Sequence, residues 1–215
     1  MIAVLDYGIG NLRSAEKALV HVGAEARLVS TAAEADRAVG VVLPGVGNFG
    51  ACAAALRGSG LDRVVLDAVA QDKPMLGVCV GFQLLYEASE ESPGVEGLGV
   101  FSGTVARLAG AEKLPQMQWN CLERVPGRES VLLARLEARP WFYFVHSYAP
   151  VPTGESASAI VATCDYGGSV VAVVERDNCF GTQFHPEKSG NSGLAVLAAF
   201  AERCGAELAR EPEPR

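Results

Sequence analysis

The stretch Gly77–Leu85, "GVCVGFQLL", places one cysteine between two glycines where an apolar strand is expected to turn into a helix. In an ordinary core such glycines would cost backbone entropy and fill no volume. A sharp strand–nucleophile–helix turn gives them a purpose, because flanking Cβ atoms would clash there and the helix N-terminus would favour a thiolate. Cys79 is therefore either an exposed nucleophile or a small buried residue with incidental glycines.

Before this turn, short apolar strands alternate with helices. Strands are predicted at "IAVLD", "EARLVS", "GVVLPG" and "KPMLGV", and helices at "NLRSAEKALVHVG", "TAAEADRA", "ACAAALRG" and "LDRVVLDAVAQD". Asn11 is a plausible N-cap of the first helix, and Thr31 with Glu34 has the spacing of a capping box. The turn at Cys79 is expected to lead into a longer helix, "GFQLLYEASE". This alternation predicts a doubly wound α/β fold with a mostly parallel sheet.

The second half of the chain has a different pattern. Segments rich in Val, Thr and aromatic residues, separated by Pro and Gly turns, predict antiparallel strands that extend the sheet: "GVFSGTVARL", "QWNCLERV", "YFVHSYA", "SAIVATCDYGG", "SVVAVVERDN" and "CFGTQFH". A last helix is predicted at "SGLAVLAAFAERC". We expect one domain over residues 1–204 and a flexible tail over residues 205–215.

Composition and charge limit the classes of function. The 215 residues carry a formal charge of −7, which argues against nucleic acid as a partner because phosphate contacts need clustered Lys and Arg. No apolar run approaches the roughly 20 residues that span a bilayer, and the N-terminus lacks the charged region of a signal peptide. Six scattered cysteines without a C-x-x-C pair favour reduced thiols. We therefore expect a cytoplasmic protein without membrane contact and without metal, flavin or nucleotide cofactors.

A second unusual segment is "GTQFHPEKS", in which His185 and Glu187 flank Pro186. If Pro186 keeps the chain extended, both side chains project to the same side, and the carboxylate can fix the imidazole tautomer. An imidazole placed in this way can activate a thiol. The alternative is a surface turn that ends the strand.

A third segment, "LPGVGNFG", follows a predicted strand with bare backbone N–H groups that could bind an oxyanion, although it could also be an ordinary glycine-rich turn. All three segments fall at carboxyl ends of predicted strands, where ligand sites of doubly wound sheets collect. Taken together, they favour a cysteine hydrolase or transferase that acts on an amide or ester.

These motifs resemble those of a known family. "GVCVGFQLL" and "QFHPEKS" are similar to the nucleophile and His/Glu segments of the class I (triad) glutamine amidotransferases, which have a flavodoxin-like core. "LDYGIGNLRS", "LPGVGNFG" and "YFVHSY" further resemble the glutaminase subunits of imidazole glycerol phosphate synthases, from about residue 2 to residue 200. The resemblance implies hydrolysis of L-glutamine through a thioester and delivery of ammonia to a separate (β/α)8-barrel cyclase in a heterodimer, for histidine biosynthesis.

The resemblance also implies roles for single residues. Cys79 would be the nucleophile, and His185 would act first as its general base and then as the acid for departing ammonia. Glu187 would orient His185. The implied oxyanion donors are backbone N–H groups, with or without a reorientation of the loop: Val80 and one of Val46 and Gly47.

Four further residues are implied to bind the amino-acid head of glutamine, Ser147 and Tyr148 largely through their backbone: Gln83, Glu91, Ser147 and Tyr148. Glu91 fits this role because an α-ammonium group needs a carboxylate partner. We expect it near the end of the helix that follows Cys79.

The segment "MQWN" departs from the Met-Gly-Trp-Asn usual in this family, because Gln118 replaces the small residue. Three nearby residues are candidates for the surface that faces the synthase: Trp119, Asn120 and Tyr143. A longer side chain at position 118 could alter docking or ammonia passage there.

Other functions stay open on the sequence alone. The chain could serve a different amidotransferase, such as that of vitamin B6 synthesis, although "YFVHSY" counts against it. It could be a non-catalytic binding module on the same fold, which would not need a triad. A peptidase-like cysteine hydrolase would act without any partner.

Overall fold

A sheet of eight strands forms the centre of the protein in the computed structural model, which describes residues 1–111 and 113–206. Its strands, in spatial order, are β2 (Ala26–Val29), β1 (Ile2–Leu5), β3 (Gly40–Gly45), β4 (Met75–Cys79), β13 (Cys179–Thr182), β12 (Ser169–Arg176), β11 (Ile160–Asp165) and β8 (Glu123–Arg124). The first five strands are parallel and the last three pair antiparallel. The order of the parallel part is that of flavodoxin-like sheets, which confirms the predicted fold class.

The helices form two packed groups. The α-helices of the described residues are α1 (Leu12–His21), α2 (Ala32–Ala35), α3 (Phe49–Ser59), α4 (Leu61–Ala70), α5 (Val80–Gln83) and α6 (Gly190–Arg203). Helix α1 packs against α6, whereas α2 and α3 pack against α4, as expected for a sheet wound on both sides. None of the helices in the described ranges is long and apolar enough to cross a membrane.

The predicted caps of the first two helices turn out differently. The Thr31 hydroxyl accepts a hydrogen bond from the Glu34 N–H, and the Glu34 carboxylate accepts one from the Thr31 N–H, so the capping box is confirmed. Asn11 does precede α1, but its side-chain oxygen accepts a hydrogen bond from the Ser14 hydroxyl and caps no backbone N–H. The predicted N-cap is therefore right in position and wrong in its hydrogen bond.

The long helix predicted after Cys79 is wrong. Helix α5 makes a single turn, and strand β5 (Tyr86–Ser89) follows it. Tyr86 is fully buried and pairs with Phe101 of the next strand, β6 (Phe101–Arg107). The Leu84 and Leu85 carbonyls accept hydrogen bonds from the backbone of Leu98 and Phe101. These long-range partners replace the hydrogen bonds that a longer helix would have supplied.

Two small sheets accompany the large one. Strand β6 lies between β5 and β10 (Tyr148–Pro152), and β7 (Gln116–Cys121) pairs antiparallel with β9 (Trp141–His146). The expectation of antiparallel strands throughout the second half is wrong in one respect that affects the site. Strand β13 lies between β4 and β12. It pairs parallel with β4 and antiparallel with β12.

Buried apolar residues form one continuous cluster from β1 to α6. Helix α6 ends at Arg203, and Gly205 has a positive φ of 78° just beyond it. The domain boundary at residue 204 stays a prediction, and residues 207–215 of the expected tail lie outside the described residues.

Candidate active site

Cys79 lies at a strained turn between β4 and α5. It is the last residue of the strand and has φ 53° and ψ −113°, a conformation that residues other than glycine rarely adopt. Cys79 is only 3% exposed, so the expected exposure of the nucleophile is wrong, although the residue lines a cavity. Backbone strain of this kind collects at functional sites, and the strand–nucleophile–helix turn predicted from the sequence has this geometry.

The glycines around Cys79 are required by close packing. A Cβ atom on Gly77 would lie 2.7 Å from Cα of Phe82, and one on Gly45 would lie 2.5 Å from the Gly81 backbone nitrogen. A Cβ atom on Gly81 would clash with the Leu43 carbonyl oxygen. The turn can therefore pack against β3 only because these positions lack side chains. The prediction that flanking Cβ atoms would clash at this turn is confirmed.

His185 and Glu187 form a buried pair beside this turn. The Nδ1 atom of His185 lies 2.9 Å from Oε1 of Glu187, and the two side chains are 2% and 5% exposed. The chain is extended at His185, but Pro186–Lys188 forms a short 3-10 turn. The expectation of an extended chain through Pro186 is therefore wrong. The pair forms all the same, because the turn brings the carboxylate back to the ring.

The position of His185 follows from the sheet. Gly181 and Thr182 of β13 pair with Gly77 and Val78 of β4, so the chain leaves β13 next to Cys79. The N–H of His185 also donates a hydrogen bond to the Tyr143 carbonyl, at 3.1 Å. Two adjacent parallel strands thus deliver the nucleophile candidate and the histidine to the same edge of the sheet.

Ser189 holds the histidine segment against β9. Its hydroxyl donates a hydrogen bond to the His185 carbonyl at 2.6 Å and accepts one from the Tyr143 N–H at 3.0 Å. The sequence analysis did not single out Ser189. A serine directly after a short turn often bonds nearby backbone groups, and that was the available signal.

The charge state of His185 is set by its two neighbours. Burial alone would lower the pKa of His185, but the adjacent Cys79 and Glu187 side chains outweigh burial and raise the pKa well above its ordinary value of about 6.5. The Nε2 atom has no conventional hydrogen-bond partner among the described residues. We infer that the ring is protonated at neutral pH, with Nε2 available to the sulfur and to a reacting group.

Cys79 and His185 line a cavity of about 630 Å³, a size typical of ligand sites. All the predicted oxyanion and head-group residues also line it: Val46, Gly47, Val80, Gln83, Glu91, Ser147 and Tyr148. Lining residues that the sequence analysis did not assign to the site include Asn11, Pro115 and Lys188. The structure thus brings together one candidate site from segments that lie far apart in the chain.

Within the oxyanion candidate loop, Gly47 has a φ of 87°, which only glycine adopts without strain. The Val46 carbonyl accepts a hydrogen bond from the Cys52 thiol at 3.2 Å. The Val80 N–H begins helix α5 directly after Cys79. Val46, Gly47 and Val80 therefore lie on the wall of the same cavity as Cys79.

Glu91 lies elsewhere in the fold than expected. It follows β5 instead of ending a helix, and its Oε2 accepts a hydrogen bond from the Phe49 N–H at 2.7 Å, at the start of α3. Gln83 is also engaged, since its amide donates to the Tyr148 carbonyl at 2.8 Å. Glu91 keeps its other carboxylate oxygen, Oε1, for a ligand, and Gln83 keeps its amide oxygen, Oε1.

His146 is a buried histidine on the cavity wall. Its Nδ1 lies 2.9 Å from the Tyr148 carbonyl, and its Nε2 has no partner among the described residues. Burial lowers the pKa of His146 to about 4, with a further contribution from the charge of His185. The ring is therefore neutral at physiological pH, unlike His185.

Comparison with known proteins decides the family. The model of the glutamine amidotransferase class-I family matches residues 3–204. The chain belongs to the class-I glutamine amidotransferases. The "imidazole glycerol phosphate synthase subunit HisH" of Salinibacter ruber is 46% identical over 208 residues, with 94% of each chain covered. The protein of the same name from Methanothermobacter thermautotrophicus is 46% identical over 202 residues, with 94% of this chain and 98% of that one covered.

Solved structures agree on the fold of this class-I amidotransferase. A crystal structure of a glutamine amidotransferase has a TM-score of 0.74 at 21% identity, covering 95% of this chain and 98% of that one. A chain of PurLQS from Thermotoga maritima has a TM-score of 0.74 at 22% identity, covering 94% and 97%. The predicted glutamine amidotransferase and its resemblance to the imidazole glycerol phosphate synthase glutaminases are confirmed.

The interface candidates of this amidotransferase lie on the sheet of β7 and β9. Trp119 is 48% exposed and packs edge-on against Tyr143, with ring centroids 6.4 Å apart. Met117 and Trp141 are exposed on the same face, and the sequence analysis did not name them. Asn120 uses its amide inside the protein, donating to the Asp165 carbonyl at 2.8 Å and accepting from the Cys121 N–H.

Proposed function

We propose that the chain hydrolyses glutamine through a thioester on Cys79 and passes the ammonia to a separate (β/α)8-barrel cyclase. The pair would make imidazole glycerol phosphate and an aminoimidazole carboxamide ribonucleotide in histidine biosynthesis. The observation that carries this proposal is the meeting of Cys79 with the buried His185–Glu187 pair in one cavity, in a chain 46% identical to HisH proteins.

The first half of the reaction forms the thioester. The Cys79 sulfur attacks the γ-carboxamide carbon, and the oxyanion that develops accepts hydrogen bonds from the Val80 N–H and from the Val46–Gly47 loop. His185 then gives its proton to the leaving nitrogen, the carbon–nitrogen bond breaks and ammonia departs. The raised pKa of His185 supports this order, because the ring holds that proton before the attack.

The second half releases glutamate. Neutral His185 takes a proton from water, the hydroxide adds to the thioester carbon, and the carbon–sulfur bond breaks to return the thiolate. Glu187 accepts the Nδ1–H throughout and holds the ring in one orientation, as the 2.9 Å contact supports. Cys79 and His185 return to their starting protonation states at the end of the cycle.

The cavity also supports a site for the glutamine head group. We assign the α-ammonium group to Oε1 of Glu91, because Oε2 is held by the Phe49 N–H and the carboxylate is fixed in place. Ser147 and Tyr148 line the same cavity and would bind the head group through their backbone. Gln83 would contribute its free Oε1.

The exposed face of β7 and β9 is the proposed docking surface for the cyclase. Trp119 and Tyr143 form its aromatic centre. Asn120 follows Trp119 at the border of this face, and its amide connects β7 to the Asp165 carbonyl of β11. Val145 is on β9 and also lines the cavity, so this face adjoins the place where ammonia forms. Gln118 is exposed on β7, but it pairs with Phe144 and projects to the side of the small sheet opposite Trp119. Its longer side chain would therefore affect the partner or the ammonia path only at the border of this face.

The cysteines support a reducing compartment. All six are free thiols, and five of them are buried. We assign the protein to the cytoplasm on this ground, because thiols stay reduced there.

The test is glutamine hydrolysis by the chain alone, and then with the cyclase and its nucleotide ligand. We expect strong stimulation by the pair. The Cys79→Ala variant should lose hydrolysis and still support the cyclase with free ammonium. Cys164→Ala, which removes another buried thiol, is the matched control and should keep hydrolysis. Hydrolysis that survives in Cys79→Ala would refute the assigned nucleophile.

A further inference from the structure

Two buried glutamines connect a backbone carbonyl to the Cys79 sulfur. The Nε2 atom of Gln83 lies 2.8 Å from the Tyr148 carbonyl oxygen and 3.1 Å from Oε1 of Gln183. The Nε2 atom of Gln183 lies 3.8 Å from Sγ of Cys79. Gln83 is 3% exposed and Gln183 is fully buried, so these contacts are largely shielded from bulk solvent.

The hydrogen-bond pattern fixes which way each amide points. The Tyr148 carbonyl can only accept, so Gln83 must turn its NH₂ group toward it. The second hydrogen of the same NH₂ group then points to Gln183, which must present its oxygen. Gln183 therefore directs its own NH₂ group at the sulfur, and flipping either amide would place two acceptors or two donors face to face.

The Cys79 sulfur also contacts a hydrogen-bond acceptor, a backbone carbonyl. Sγ of Cys79 lies 4.0 Å from the Val145 carbonyl oxygen, to which only the protonated thiol can donate. A carbonyl in this position favours the thiol, whereas an N–H donor favours the thiolate. The two contacts therefore favour opposite protonation states of the Cys79 sulfur.

We propose that Gln183 donates a hydrogen bond to the Cys79 thiolate and that Gln83 is the positioning residue that aims this donor. The donor favours the charged sulfur before attack on the substrate and again when the thiolate leaves the thioester. This inference rests on the proposed function for the use of the thiolate, but the hydrogen bond itself can be tested without any substrate.

The test is the pH dependence of alkylation of Cys79 by iodoacetamide in the full-length chain, followed by mass spectrometry of the peptide that contains Cys79. Gln183→Met keeps the side-chain length and removes the donor. We expect the alkylation midpoint to move up by about one pH unit, the order expected for one hydrogen bond to a charged group. Gln116→Met removes another fully buried glutamine, which contacts Cys164, and should leave the midpoint unchanged.

A second variant covers the case in which Gln183→Met fails to fold. Gln83→Met keeps Gln183 but removes the group that orients it, and we expect a smaller upward shift of the midpoint. An unchanged midpoint in the folded variants would overturn the proposal, whatever their glutaminase activity. A chain that lacks glutaminase activity but shows the shift would refute the proposed function and leave this hydrogen bond intact.

Discussion

Strands β4 and β9 each bring residues to the active-site cavity, but each pairs with a neighbour, β13 or β7, in a sheet that buries its side chains differently. Every residue of β4 and β13 is buried, because both strands lie inside the large sheet. On β9, Phe142, Phe144 and His146 are buried, while Trp141 is 53% exposed on the other face. The large sheet therefore exposes reactive side chains only near its strand ends, whereas the small sheet leaves one face exposed.

The largest effect should come from the turn that follows β4. Gly81→Ala forces a methyl group against the Leu43 carbonyl, so α5 must move away from β3. We expect a loss of about 3 kcal/mol or more in the free energy of unfolding, with glutaminase activity lost as well, measured by urea denaturation and by glutamate release. Gly58→Ala, in open space on α3, is the matched control and should be neutral or stabilising by about 0.5–1 kcal/mol. Equal stability of the two variants would contradict this account of the turn.

An intermediate effect should come from the buried face of β9. The pKa of His146 is about 4 in the folded chain and about 6.5 when unfolded, so the unfolded state binds more protons between these values. Stability should therefore fall as the pH drops through this window, by up to about 3 kcal/mol. In His146→Asn, urea titrations from pH 7 to pH 4 should show a shallower fall. His21→Asn, at an exposed position, is the control. If it made the fall of stability with pH equally shallow, the effect would not be specific to His146.

The smallest effect on stability should come from the exposed face. Trp119→Ala should change the free energy of unfolding by less than about 0.5 kcal/mol, because the ring is half exposed. If this face docks the cyclase, the same variant should weaken the complex about tenfold, measured by calorimetric titration. Val20→Ala, at an exposed site on α1, is the control. Unchanged affinity in Trp119→Ala would remove Trp119 from the interface and would contradict docking of the cyclase at the centre of this face.

Local patterns predicted most of the elements and the candidate triad. The apolar runs gave the strands of the parallel sheet, and the spacing of Thr31 and Glu34 gave a capping box, because these signals involve neighbouring residues only. The predicted helix after Gln83 was wrong because Tyr86 pairs with Phe101. The hydrogen bond from Gln183 to Cys79 was missed because its two residues are 104 positions apart.

The sequence by itself predicted a tight turn at Cys79, since glycines allow close approach of the backbone, and it predicted that His185 and Glu187 would pair. Only the tertiary structure decided that β13 lies parallel to β4, which brings His185 to the sulfur. It also decided that Gln83, Gln183 and Cys79 form one buried row of hydrogen bonds. Such contacts depend on which strand fills the place beside β4, and pairing between distant strands leaves no periodic signal in either one.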